Sequence, residues 1–148
     1  MELNKNGTLY RLSKNTGDTA FSLFGVDYYP NAASLHLPSL INSSYDYLIL
    51  DLGTSTEDFI MDEFLRCDRK ILLGSLSPWR QICYGNFLTN FLKTYQNHGT
   101  IVYLALFGIK DDLIEFSHAY HIYMQGVPFL ANPFQLRKEN LSFLEHLI

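Results

Sequence analysis

The chain has 148 residues, 47% of them hydrophobic and 18% charged, with 11 Phe and 10 Tyr. That is ample apolar material for one domain core and too little charge for a disordered chain. A formal net charge of -4 and an isoelectric point near 5.6 exclude a nonspecific nucleic-acid surface, and no basic run exceeds Arg69-Lys70 or Arg137-Lys138.

Residues 1–20 form a poorly defined N-terminal segment, loop-like in its Gly7, Gly17, Asn, Ser and Thr content, with Thr8 to Leu12 as an edge strand. From Phe21 onward, short apolar runs alternate with longer stretches of helical period, the pattern of βα units. Phe21 to Val26 reads as a strand, and Ala33 to Ile41 as a helix interrupted by Pro38. Tyr47 to Asp51 is the next strand. Thr56 caps a helix through Cys67, where Asp58, Asp62 and Glu63 alternate with Phe59, Ile60, Phe64 and Leu65. Lys70 to Leu73 is a strand, and Ser77-Pro78 supplies N-cap and first position for a helix to about Gln96. Gly85 is a weak point inside that helix and Gly99 follows its end. Thr100 to Phe107 is a strand. Lys110 to Tyr120 is a helix opened by Asp111 and Asp112, with Leu113, Ile114 and Phe116 as its inner face. A weaker strand, Ile122 to Gln125, and a final helix from Asn132-Pro133 to near Ile148 complete the order.

Tyr47 to Leu50 and Ile101 to Leu106 are apolar without alternation, as strands buried on both faces near a sheet centre should be. The expected fold is therefore α/β, a mostly parallel sheet flanked by helices in one domain spanning residues 1–148. No apolar stretch approaches a membrane span, and the first residues carry no apolar run of a secretory leader, so cytoplasm is the expected compartment. Cys67 and Cys83 stand outside any Cys-x-x-Cys arrangement and read as reduced helical residues.

The run with chemical content is Tyr45-Asp46-Tyr47-Leu48-Ile49-Leu50-Asp51-Leu52-Gly53, a strand ending in a carboxylate and then a glycine. An Asp there either holds a magnesium ion beside a nucleotide, with the glycine admitting its backbone, or simply caps the next turn. The run resembles the Walker B region of ParA/MinD-like P-loop ATPases. Lys70-Ile71-Leu72-Leu73-Gly74-Ser75 with Pro78 is similar to that family's next strand and proline-started helix. Thr100 to Gly108 is similar to the strand before the base-recognition loop, and Val127-Pro128-Phe129-Leu130-Ala131-Asn132-Pro133 to the proline-containing segment near the base. Phe24-Gly25-Val26-Asp27-Tyr28-Tyr29 matches the strand before Walker B, and Glu2-Leu3-Asn4 the end of the second strand.

The resemblance implies a P-loop NTPase-like fold, incomplete at its N-terminus, with Asp51, Gly53 and Pro128 as a vestigial nucleotide site and Asp51 as its metal ligand. The sequence has no Gly-x-x-x-x-Gly-Lys-Ser/Thr and no Lys-Gly-Gly form of it, so the amide cradle, the phosphate-binding lysine and the magnesium-binding hydroxyl are missing. Leu106-Phe107-Gly108 stands where the family commonly has an Asn, and Ile109-Lys110-Asp111-Asp112 is a degenerate base-reading motif. With the first strand lost, a rearranged N-terminus fills the gap beside Asp51, or an exposed edge is left to pair with another chain.

Three functional readings follow. The first is a non-catalytic regulatory module that binds a protein partner or a like subunit as a homodimer, without cofactor. The second is the C-terminal part of an active ATPase, using ATP and magnesium once a P-loop is supplied. The third is a flavodoxin-like or receiver-like module with Asp27 and Asp51 at strand ends and Lys110 as the late lysine.

Other constellations carry less. Glu115, His118 and His121 have one ligand spacing of di-iron bundles but no second pair, and read as surface or helix-end residues. Gly74-Ser75-Leu76-Ser77-Pro78 misses the nucleophile-elbow frame, so Ser77 is read as a cap. Trp79, Phe87, Phe91 and Tyr95 have helical spacing and read as core or a docking face. Tyr28-Tyr29-Pro30 either lines a pocket or covers the edge of the core.

Overall fold

A computed structural model describes residues 1–4, 7–12, 20–32, 36–95, 100–130 and 138–147. Gly17, Ala33, Gln96, Gly99, Asn132, Pro133 and Ile148, used above as landmarks, lie outside the described residues. The chain divides into two compact units, Met1–Phe64 and Leu65–Ile148.

The first unit is built from short pieces. Thr8–Leu12 is a helix, α1, and not the expected edge strand. The buried Glu2 carboxylate accepts from the amide of Thr8 at 2.7 Å and that of Leu9 at 3.5 Å, satisfying the first free donors of the turn. Phe21 to Val26 is not one strand either. It is a hairpin of β1 (Phe21–Leu23) and β2 (Val26–Tyr28), paired antiparallel with Phe21 opposite Tyr28. Phe24 and Gly25 turn the chain with φ of 53° and 78°, the left-handed pair that matches strand twist in a two-residue hairpin. The rings of Phe21 and Tyr28 stack at 5.0 Å across it. Pro38 begins a helix and does not interrupt one: α2 covers Leu37–Ile41 with the proline in its first turn.

Tyr47–Leu50 runs beside the N-terminus without forming a regular strand. Met1 N donates to Ile49 O at 2.8 Å, Asp51 N to Met1 O and Leu3 N to Asp51 O at 2.9 Å each, and Glu2 and Asp51 form a parallel bridge. On its other edge Glu2 N donates to Tyr29 O and Ala32 N to Glu2 O. The expectation of burial on both faces fails here. Tyr47 and Ile49 are 71% and 74% exposed, whereas Leu48 and Leu50 pack on Met1, Leu37 and Leu40, so the segment is one-sided. α3 (Asp58–Arg66) then buries Ile60, Met61 and Phe64. Its approach is held by Ser55, whose Oγ accepts from Glu57 N at 3.3 Å, and not by Thr56.

The second unit is a three-stranded parallel sheet flanked by helices. Its strands are β3 (Lys70–Ser75), β4 (Ile101–Leu106) and β5 (Met124–Gly126), in that order. The crossovers are α4 (Gln81–Thr94) and α5 (Lys110–Tyr120), and α6 (Lys138–Glu145) follows β5. The register aligns Leu72 with Tyr103 and Met124, and Gly74 with Ala105 and Gly126. These rows face the crossover helices, where Tyr84 and Leu88 of α4 and Phe116 of α5 share a core with Ala105, Met124 and Leu76.

The Gly-Ala-Gly row is what lets the helices sit this close. A Cβ on Gly74 would lie 2.1 Å from the Tyr84 ring, and one on Gly126 would lie 3.0 Å from Leu113. Tyr84 stacks on Phe116 at 5.6 Å, and its hydroxyl reaches the carbonyls of Leu72 and Leu104 at 3.4 Å each. Burial pushes that phenol above its ordinary value, so it stays a donor. Gly85, a weak point by propensity, makes room for Tyr120, since a Cβ there would lie 2.3 Å from the Tyr120 hydroxyl and the ring would have to shift. Burying Leu88 completely contributes roughly 2 kcal/mol.

On the opposite sheet face Ile71 and Leu73 are exposed while Leu104 is buried, so the central strand is covered more fully than β3. Two further expectations are corrected. Ile114 is exposed, the inner face of α5 being Leu113, Phe116 and Tyr120. Ser77 does not cap α4 through its side chain. Its carbonyl accepts from Arg80 N and Gln81 N at 2.9 Å, and Arg80 holds the N-cap position. Among the described residues no helix is long and apolar enough to cross a membrane.

Candidate functional site

Asp51 stands at the end of the segment that the N-terminus flanks, with its side chain exposed. Its Oδ1 accepts from Gly53 N at 3.0 Å, closing an Asx turn, and its carbonyl accepts from Asn4 Nδ2 at 3.2 Å. Gly53 has φ of 68°, and a Cβ there would lie 2.6 Å from the Asn4 Cβ. Both the conformation and the close approach of Asn4 therefore require glycine at this position. Asp51 and Gly53 form one turn in the first unit. Pro128 lies in the second unit, half-buried just beyond β5, where Val127 N extends the ladder to Ala105 O at 2.9 Å.

A second polar group occupies the hairpin and was not apparent as a group from the sequence. Tyr29 and Tyr45 share a hydroxyl hydrogen bond at 2.8 Å, Tyr45 donates to Asp27 Oδ2 at 2.7 Å, and Ser22 donates to Asp27 Oδ1. The Ser22 and Tyr45 bonds hold the Asp27 carboxyl below its ordinary range, and the Tyr29 and Asp27 bonds hold the Tyr45 phenol above its own. Tyr45 lies 16 residues beyond Tyr29, so no local spacing announces the contact. Asp27 thus sits on an antiparallel strand with both oxygens engaged. Of Tyr28-Tyr29-Pro30, Tyr29 packs on the first unit's core, as the core-edge alternative has it, and also borders an open hollow of about 350 Å³ with Pro30, His36 and Leu40.

In the second unit the carboxyl ends of β3 and β4 are joined by Leu76 N donating to Leu106 O at 2.9 Å. Ser75 and Ser77 share a hydroxyl hydrogen bond at 2.9 Å, and Ser77 N donates to Ser75 Oγ at 3.2 Å. Phe107 turns the chain with φ of 56°, and Gly108 packs so closely on Leu76 that a Cβ would meet its Cδ1 at 2.8 Å. Carboxyl strand ends are where open parallel sheets bind ligands, and this one presents the paired Ser75 and Ser77 hydroxyls and the exposed Trp79, Phe107 and Phe129.

The other sequence candidates are dispersed. Glu115 and His118 are exposed on α5, and His121 is its exposed C-cap residue, with φ of 52°. Among the described residues no three His, Cys, Asp or Glu side chains gather as a metal site. Cys83 is exposed on α4 and Cys67 follows α3; neither is in a disulfide. Phe87 stacks on Phe91, whose ring meets that of Tyr95 at a tilt of 41° at the end of α4, but Trp79 precedes the helix and is exposed.

No protein-family model matches the chain, and no curated protein or solved structure is significantly similar to it.

Proposed function

We propose that the chain is a non-catalytic, protein-binding regulatory module with the ancestry of a ParA/MinD-like ATPase domain, in which Asp51 is a relic of the magnesium site. The observation that carries this reading is the turn at Asp51. Oδ1 of the carboxylate that would hold a hydrated magnesium ion accepts instead from the amide of Gly53, and the glycine's conformation and missing Cβ accommodate Asn4. The sequence holds no glycine-rich loop to supply the amides and lysine that a triphosphate needs. The βα order of the second unit agrees with the order expected from the resemblance. Exposed Trp79, Phe107 and Phe129 support a role in contacting protein, in a like subunit or another chain.

The receiver-like alternative has less support, because Asp27 lies on a hairpin and is already paired with Ser22 and Tyr45. Phosphate release from ATP with magnesium, followed for the whole chain and for Asp51→Ala, tests the non-catalytic reading. Both should stay at the buffer rate. Turnover by the unaltered chain that disappears in Asp51→Ala would overturn it in favour of an active ATPase.

A further inference from the structure

We draw no further inference here: the strongest candidate, the exposed Trp79, Phe107, Ile109 and Phe129 on the loops at the carboxyl ends of β3, β4 and β5, is an apolar patch for which nothing in the structure shows what covers it.

Discussion

The two units hold their shape by different means. In the second, each strand leads through a helix to its parallel neighbour, and one core joins both helices to the sheet. In the first, a hairpin of two three-residue strands, two five-residue helices and an extended segment carry a buried carboxylate, an Asx turn and a tyrosine pair. One core spans the sheet and helices of the second unit, whereas the first adds to its smaller apolar contacts a set of polar ones, from the Asx turn at Asp51 to the Tyr29–Tyr45 pair 16 residues apart. The run that carries the family resemblance belongs to the second kind, so its Asp and Gly answer first to local architecture.

Core truncation should separate the units most clearly. Leu88→Ala removes a side chain with no exposure from the large core and should cost about 4 kcal/mol. Leu40→Ala, in the smaller core of Met1, Leu37 and Leu40, should cost about 2 kcal/mol, where neighbours can relax around the loss. Urea unfolding followed by circular dichroism measures both, and equal costs would break the comparison.

The glycines of the first unit sharpen it. Gly53→Ala meets both an unfavourable φ and the Asn4 side chain, and should cost about 2 kcal/mol. Gly25→Ala has a similar φ but open space around it, and should cost about 1 kcal/mol. If thermal unfolding ranks them the other way, the Asn4 contact is not what fixes Gly53.

The smallest effect is electrostatic. Because Ser22 and Tyr45 hold Asp27 below its ordinary value of 3.8, the ionised carboxylate stabilises the hairpin above that value, and the contribution fades as pH falls through the lower folded-state value. The midpoint difference between the unaltered chain and Asp27→Ala should therefore be steady near pH 6 and shrink below about pH 4. A difference that stays constant with pH would show that the carboxylate's charge is not involved.

What was legible in the sequence follows the same division. β4 and α5 could be read because an unbroken apolar run and two N-terminal aspartates are local signals that tertiary contacts reinforce. α1 could not, since its first amide is satisfied by the side chain of Glu2, six residues earlier. The hairpin was hidden because Phe24-Gly25 lacks the Asn-Gly or Asp-Gly signature of its turn. Ser77 looked like a cap by its place before proline, but the hydroxyl of Ser75, two residues earlier, takes its side chain instead. At Asp51 the turn-capping alternative is legible because a strand-end Asp often caps the next turn, and its Oδ1 accepts from Gly53 N in that way. The Asn4 contact and the Tyr29–Tyr45–Asp27 chain were not legible, because both depend on how distant segments meet.

The most direct measurement is equilibrium binding of a fluorescent ATP analogue to the whole chain with magnesium, repeated on Asp51→Ala. A signal that rises without saturating, and identically for both proteins, is the predicted result. Saturable, magnesium-dependent binding that Asp51→Ala abolishes would contradict it, for the carboxylate would then be serving a nucleotide and not a turn.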